Sequence, residues 1–127
     1  MSRYAQWSLI FLLGACSDPI TVEQVREPMD PLQVYYLYWE EMAGCTTIFG
    51  GSPAQVRWFV TDWFPGQAGV VGQWNGRHEI TLLREARFDK GVVTHEIVHE
   101  LLQGDRDHSD PAWSACQEFG LVMGTGD

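Results

Sequence analysis

Basic residues are scarce in this sequence. Only 8 Lys and Arg stand against 17 Asp and Glu in 127 residues, a net charge of −9. A surface that acidic repels phosphate backbones, so no nucleic-acid partner is expected. The chain is also too short for two domains of usual size or for a Rossmann-type cofactor domain. Cysteine is sparse: there are three, none in a CxxC-type spacing, which argues against a cysteine metal site. No internal repeat or low-complexity segment is present. The apolar run at residues 7–15 would cover only about 14 Å as a helix, whereas a bilayer core needs ~30 Å, so it cannot span. What the chain does have is apolar material. Hydrophobic residues make up 45% and aromatics 13%, enough to offset chain entropy and to exclude a disordered acidic tail. One packed domain is expected.

The first fifteen residues read as a secretory signal. Arg3 is the only charge, the run from Trp7 onward is apolar, and it closes on the small residues Gly14 and Ala15. Leu13-Gly14-Ala15-Cys16 resembles the lipobox of bacterial lipoproteins. That resemblance implies lipidation at Cys16, a membrane contact through the lipid anchor alone, and, with Ser17 next, the periplasmic side of the outer membrane. An ordinary secretory signal with a coincidental cysteine is the alternative. Cleavage would remove 15 residues and leave 112, and loss of Arg3 would take the charge from −9 to −10. Cys45 and Cys116 then remain as an even pair, read in an exported protein as a disulfide. Closing that loop stabilises a fold by roughly 4 kcal/mol in the chain-entropy model.

Residues 16–29 are polar, carry two prolines and show no clear period, so they read as a tether between the lipid and a domain at 30–127. Asp30-Pro31 signals a helix start, and Leu32, Tyr35, Tyr36 and Trp39 recur at helical spacing to about Met42, with Gly44 ending the helix. Residues 55–61 alternate and are rich in β-branched and aromatic side chains, the pattern of a strand. Val70, Val71 and Trp74 suggest a second strand, Asn75-Gly76 a hairpin turn, and residues 77–83 a third strand.

From Asp89 the period changes. Asp89 is a candidate N-cap and Gly104 a candidate C′ residue. Between them Val93, Ile97 and Leu101 form an apolar stripe widened by Val98 and Leu102. Within this helix lies His95-Glu96-x-x-His99. Histidines at i and i+4 project within about 40° of each other, one turn apart, which suits one tetrahedral metal ion. Zinc is the metal expected, since imidazole suits it and three protein ligands leave a position for water. Glu96, about 100° around the axis from His95, can take a proton from that water, whose pKa the metal lowers toward ~7. A separate pair, His78-Glu79, lacks a second histidine four positions on.

This motif resembles that of the zincin metallopeptidases. The metzincin third-ligand pattern fails, because Leu102 and Asp105 stand where a glycine and a histidine are required. A gluzincin arrangement would use Glu118. His108 is the better candidate, nine residues after His99, and its setting is similar to SprT-like and other compact zincins, with Trp113 as the aromatic residue opening a further helix. No glycine follows His108, so no substrate class carries over. Asp105 is the alternative ligand. Asp105, Asp107 and Asp110 could accept histidine N–H bonds or form a hydrated acidic loop.

The resemblance implies an α+β minimal zincin-like domain: a small twisted sheet packed on the active-site helix, with a preceding helix. It implies metal-assisted hydrolysis of a peptide or protein by a monomer, with His95, His99 and His108 holding Zn2+ and Glu96 as general base. It further implies an extended peptide pairing with the strand before the helix, residues 77–82. His78, Tyr35, Tyr36 and Tyr38 are candidates to stabilise an oxyanion, though such residues more often serve packing. Two rivals remain. A domain of this size has little surface for a deep specificity pocket, which favours a zinc-binding or structural lipoprotein without catalysis. The acidic loop could also attract cations for zinc buffering.

Overall fold

A computed structural model describes residues 25–121. The expected export signal at residues 1–15 and Cys16 lie outside the described residues. In chain order the elements are β1 (Arg26–Met29), α1 (Gln33–Thr46), β2 (Arg57–Thr61), β3 (Gly72–Trp74), β4 (Glu79–Leu83), α2 (Lys90–Leu102) and α3 (Ala112–Cys116). Short 3-10 turns at Pro53–Gln55 and Glu85–Phe88 fill two of the connections, and a third at Gln117–Phe119 follows α3. The fold is α+β. The strands form one mixed sheet in the order β1-β2-β4-β3, with β2 and β4 parallel and both outer pairs antiparallel. No helix among the described residues is long and apolar enough to cross a membrane.

The sheet begins earlier than the sequence suggested. Residues 26–29, read as the end of a tether, are paired with β2 from Arg26↔Thr61 to Met29↔Trp58. Pro28 hides this strand in the sequence, yet an outer strand tolerates a residue without an N–H. Arg26 then reaches across β2: its guanidinium donates to Thr81 Oγ1 (3.2 Å) and Glu79 Oε1 (3.0 Å) and lies over the Phe59 ring. This corner of the chain is tied to three strands.

α1 also differs at both ends. It starts at Gln33 with Leu32 at the cap, so Asp30 does not cap it, because pairing to Met29 leaves residues 30–32 to turn the corner from strand to helix. At the other end the helix runs through Gly44 to Thr46, and Thr47 takes the left-handed conformation at φ 61°. A mid-helix glycine costs roughly 0.5–1 kcal/mol. Burial of Thr46, whose hydroxyl donates to the Met42 carbonyl at 2.7 Å, and the Cys45–Cys116 disulfide both favour the extra turn. The buried face is Tyr35, Trp39, Met42, Ala43 and Thr46, the i, i+4, i+7 recurrence of an amphipathic helix.

β2 starts two residues later than the alternation implied. Ser52 and Gln55 form a capping box around the Pro53–Gln55 turn, which takes Gln55 out of the strand. Asn75-Gly76 does open the β3–β4 hairpin. The register Trp74↔Ile80, with Asn75 N–H bonded to the Glu79 carbonyl, leaves Gly76, Arg77 and His78 as the loop. Trp58, Ile80 and Leu82 of the sheet meet Tyr35, Val93 and Ile97 of the helices to form the core. The disulfide joins the end of α1 to the end of α3 across 71 residues, with the Cα atoms 5.2 Å apart.

Candidate metal centre

α2 packs against both α1 and β3. Asp89 caps it as expected, its carboxylate accepting from Val92 N–H at 3.2 Å. Val93 and Ile97 of the expected stripe have no exposure, but the burial does not stop at one face. Every residue from Gly91 to Glu100 is buried, including His95 and Glu96 at 0%, Glu100 at 1% and His99 at 3%. Removing such groups from water is costly unless hydrogen bonds or an ion compensate, so their concentration on one helix marks a site.

The helix ends in a Schellman arrangement. Gln103 N–H bonds to the Glu100 carbonyl and Gly104 N–H to that of His99. Gln103, not Gly104, occupies the left-handed C′ position, at φ 55°. Gly104 has φ 145°, and its own carbonyl turns back to accept from His99 Nδ1 at 2.9 Å. A carbonyl can only accept, so Nδ1 carries the proton and the lone pair of His99 sits on Nε2.

The chain then folds over this end of the helix. His108 returns so that its Nε2 lies 3.1 Å from His95 Nε2 and 3.2 Å from His99 Nε2. Imidazole nitrogens at about 2.0–2.1 Å from one tetrahedral ion stand about 3.3–3.4 Å apart, so these spacings fit a shared metal to within a few tenths of an ångström. The three histidines are close enough to bind one metal ion. Glu118, the other sequence candidate, stands exposed on the turn after α3 and is outside this group.

Asp105 is not a member of the group either, and its hydrogen bonds say why. Its carboxylate accepts from Asp110 N–H (2.8 Å), Trp113 Nε1 (2.6 Å), Ser109 N–H (3.2 Å) and Ser109 Oγ (3.0 Å). The Asp110 amide leads, with the Trp113 and Ser109 bonds adding to it against the opposing effect of burial, and the carboxyl is held down at about 2. This aspartate staples the loop that carries His108. Asp105 and His108 both sit at positive φ, 65° and 56°, where a side chain is strained and the surrounding bonds must hold it. Asp110 in turn accepts from Ala112 N–H at 2.8 Å at the start of α3.

Trp113 completes the support. It is 2% exposed, and its ring centroid lies 4.9, 4.8 and 4.6 Å from those of His95, His99 and His108. Three residues further on, Cys116 bonds to α1, so the disulfide fixes the short helix on which this tryptophan stands.

On the opposite side β3 closes on α2. A Cβ at Gly72 would stand 2.9 Å from Glu96 Oε1 and 3.1 Å from Val92 Cγ1, so glycine is what lets the strand pass this close to the carboxylate. Two residues on, Trp74 stacks on His99 with the planes 13° apart, and its Nε1 donates to Glu100 Oε1 at 2.8 Å. Glu100 also meets His78 and Gln103, which holds Trp74 in place from behind.

Several expectations shift here. The strand at residues 77–82 cannot take an added peptide strand, because β4 is bonded on one side to β2 and on the other to β3. β3, at the end of the sheet order, has the open side. The aromatic candidates for oxyanion stabilisation are elsewhere. Tyr35 is fully buried and donates to the Arg87 carbonyl at 2.6 Å, and burial pushes its phenol well above the ordinary range. His78 is engaged by Glu100. A small cavity of about 110 Å³ beside His99 is lined instead by Gln67, Gln73, Trp74 and Arg106. Trp74 was read only as a strand residue and the other three did not stand out in the sequence, since it is the packing of β3 on α2 that brings Trp74 to His99. Comparison with protein-family models, curated proteins and solved structures returns no match, so the chemistry has to be read from these side chains.

Proposed function

We propose that the chain is a zinc-dependent peptidase in which His95, His99 and His108 hold the metal and Glu96 is the general base. One observation carries the reading: three imidazole Nε2 atoms converge beside a helix that presents a fully buried glutamate one residue after the first of them. A zinc ion held there would supply Lewis acidity and lower the pKa of a water toward ~7. The protein's part is then positional. The Gly104 carbonyl fixes the His99 tautomer, Trp113 packs the three rings and keeps water from their inner side, and Asp105 holds the His108 loop. Glu96 takes the proton of the attacking water and returns it to the departing amine. An extended peptide would pair along the open side of β3, whose own backbone Gly72 brings against Glu96.

The disulfide suits an oxidising compartment. That supports the exported reading, with Cys16 as the lipid anchor and the domain held at the membrane as a monomer. A second reading, zinc held without catalysis, draws on the small volume of the cavity beside His99. Zinc titration and peptide cleavage together separate the two. Glu96→Ala should keep its zinc and lose cleavage of a mixed-peptide library, whereas His99→Ala should lose both. Equal zinc content in the two variants would overturn the ligand assignment. Zinc binding with no chelator-sensitive cleavage by the native chain would favour the second reading.

A further inference from the structure

The cavity beside His99 holds a cation in a chain that has few. Arg26 and Arg57 are both held by Glu79, Arg84 by Glu27 and Asp62, and Lys90 by Glu41. No ion pair among the described residues takes up Arg77, Arg87 or Arg106, and of these three Arg106 is the one that lines this cavity. Its neighbour Asp105 is committed to Ser109, Asp110 and Trp113. Arg106 is instead exposed at the rim of the cavity, with the amides of Gln67 and Gln73, the Trp74 ring and His99 as the other walls. No carboxylate lines this cavity. In a protein of net charge −9 that is a local reversal of sign.

We propose that Arg106 is a specificity-determining residue that takes a carboxylate of the peptide, so that the preferred substrate carries an acidic group close to the scissile bond. The proposal rests on the peptidase reading of the same site and names its substrate class. A guanidinium presents a planar fork of N–H donors that matches a carboxylate in two parallel bonds, and the neighbouring glutamine amides add neutral donors. The position also separates this role from that of an oxyanion donor. The reacting carbonyl has to lie at the buried centre beside Glu96 and the three Nε2 atoms, whereas Arg106 shares its cavity with His99 alone of those groups. It therefore meets a part of the substrate one step out from the bond being cut. The negative charge of the remaining surface limits the preference to a single acidic group, because a more acidic peptide is repelled everywhere else.

The test uses zinc-loaded full-length chain and amide-capped hexapeptides in which one Glu, or a matching Gln, is placed at each position in turn. A free-acid version of the Gln peptide distinguishes a terminal from a side-chain carboxylate. Binding is read by tryptophan fluorescence and calorimetry, which need no turnover, and cleavage is read separately. For one placement the carboxylate peptide should bind about tenfold more tightly than its neutral partner, the size of a charge-assisted hydrogen bond. Arg106→Gln should erase that difference while keeping full zinc content, and Arg106→Glu should transfer the preference to a Lys peptide. Absence of any discrimination in the native chain, or its survival in Arg106→Gln, overturns the proposal. An equal fall of kcat on every peptide in Arg106→Gln, with binding unchanged, also overturns it and assigns Arg106 to the oxyanion. If discrimination is present but no peptide is cut, the carboxylate site stands and the peptidase reading fails.

Discussion

The two long helices are nearly equal in length, 14 residues in α1 and 13 in α2, yet they are built to different rules. α1 hides one face of mostly apolar side chains and gives the rest to water. α2 hides ten consecutive residues, among them two histidines and two glutamates. Burying a polar side chain costs free energy that packing alone does not return. A helix selected only to hold the core together would therefore look like α1. In α2 the buried polar groups are matched by a loop, a strand and a third helix that exist largely to surround them. Asp105 bonds four groups to keep His108 over the helix, and Gly72 gives up its side chain to let β3 approach Glu96.

Separating stability from metal binding breaks this comparison in one direction or the other. The largest effect on stability is expected on α1, where Trp39→Ala removes a ring that is 3% exposed and should cost about 3–5 kcal/mol in urea unfolding. The folded fraction should still bind zinc at full stoichiometry. Loss of stoichiometric zinc in folded Trp39→Ala would mean that the two helices are not separable in function. Of similar size is the expected effect of removing the disulfide that links α1 to α3. Cys45→Ser with Cys116→Ser should cost about 4 kcal/mol. Because Cys116 fixes the helix of Trp113, it should also weaken zinc by about 10–100-fold, the size expected when a group supporting a ligand is released. A stability loss with unchanged zinc affinity would confine the disulfide to the core.

The smallest effect concerns the loop. Asp105 is held near 2 in the folded chain against an ordinary 3.8, so it contributes stability that is fully present above about pH 4. That contribution is lost as the pH falls from about 4 toward 2. Asp105→Asn should flatten this acid limb in a pH series of thermal unfolding while leaving the rest of the curve in place. An unchanged limb would locate acid sensitivity in another carboxylate, with Glu79 next in line. Burial alone would raise the Glu79 carboxyl, but the hydrogen bonds from Arg26 and Asn75 and the charge of both arginines hold it below its ordinary value.

The parts of the site that follow from local periodicity were legible in the sequence. His95, Glu96 and His99 lie on one helix whose cap, Asp89, and stripe, Val93 and Ile97, are visible as spacing. The disulfide followed from an even cysteine pair. His108 was recognisable only as the best of three candidates, because Asp105 and Glu118 have ligand chemistry too. What excludes Asp105 is its set of hydrogen bonds, which no spacing reveals. How the surrounding groups meet the candidate metal centre was not legible. Gly72, Trp74 and Arg106 reach it through the register of β3 against β4 and the path of a loop, and these depend on contacts far apart in the chain. β1 was missed for a related reason: four residues with two charges and a proline become a strand only when β2 offers them an edge.

X-ray absorption at the zinc edge, on the full chain loaded with one equivalent of zinc, tests the central claim most directly. The account predicts three imidazole nitrogens at about 2.0–2.1 Å with one water oxygen completing four-coordination, and loss of one imidazole shell in His108→Ala. A spectrum of native protein with only two imidazoles, or one that His108→Ala leaves unchanged, would contradict it.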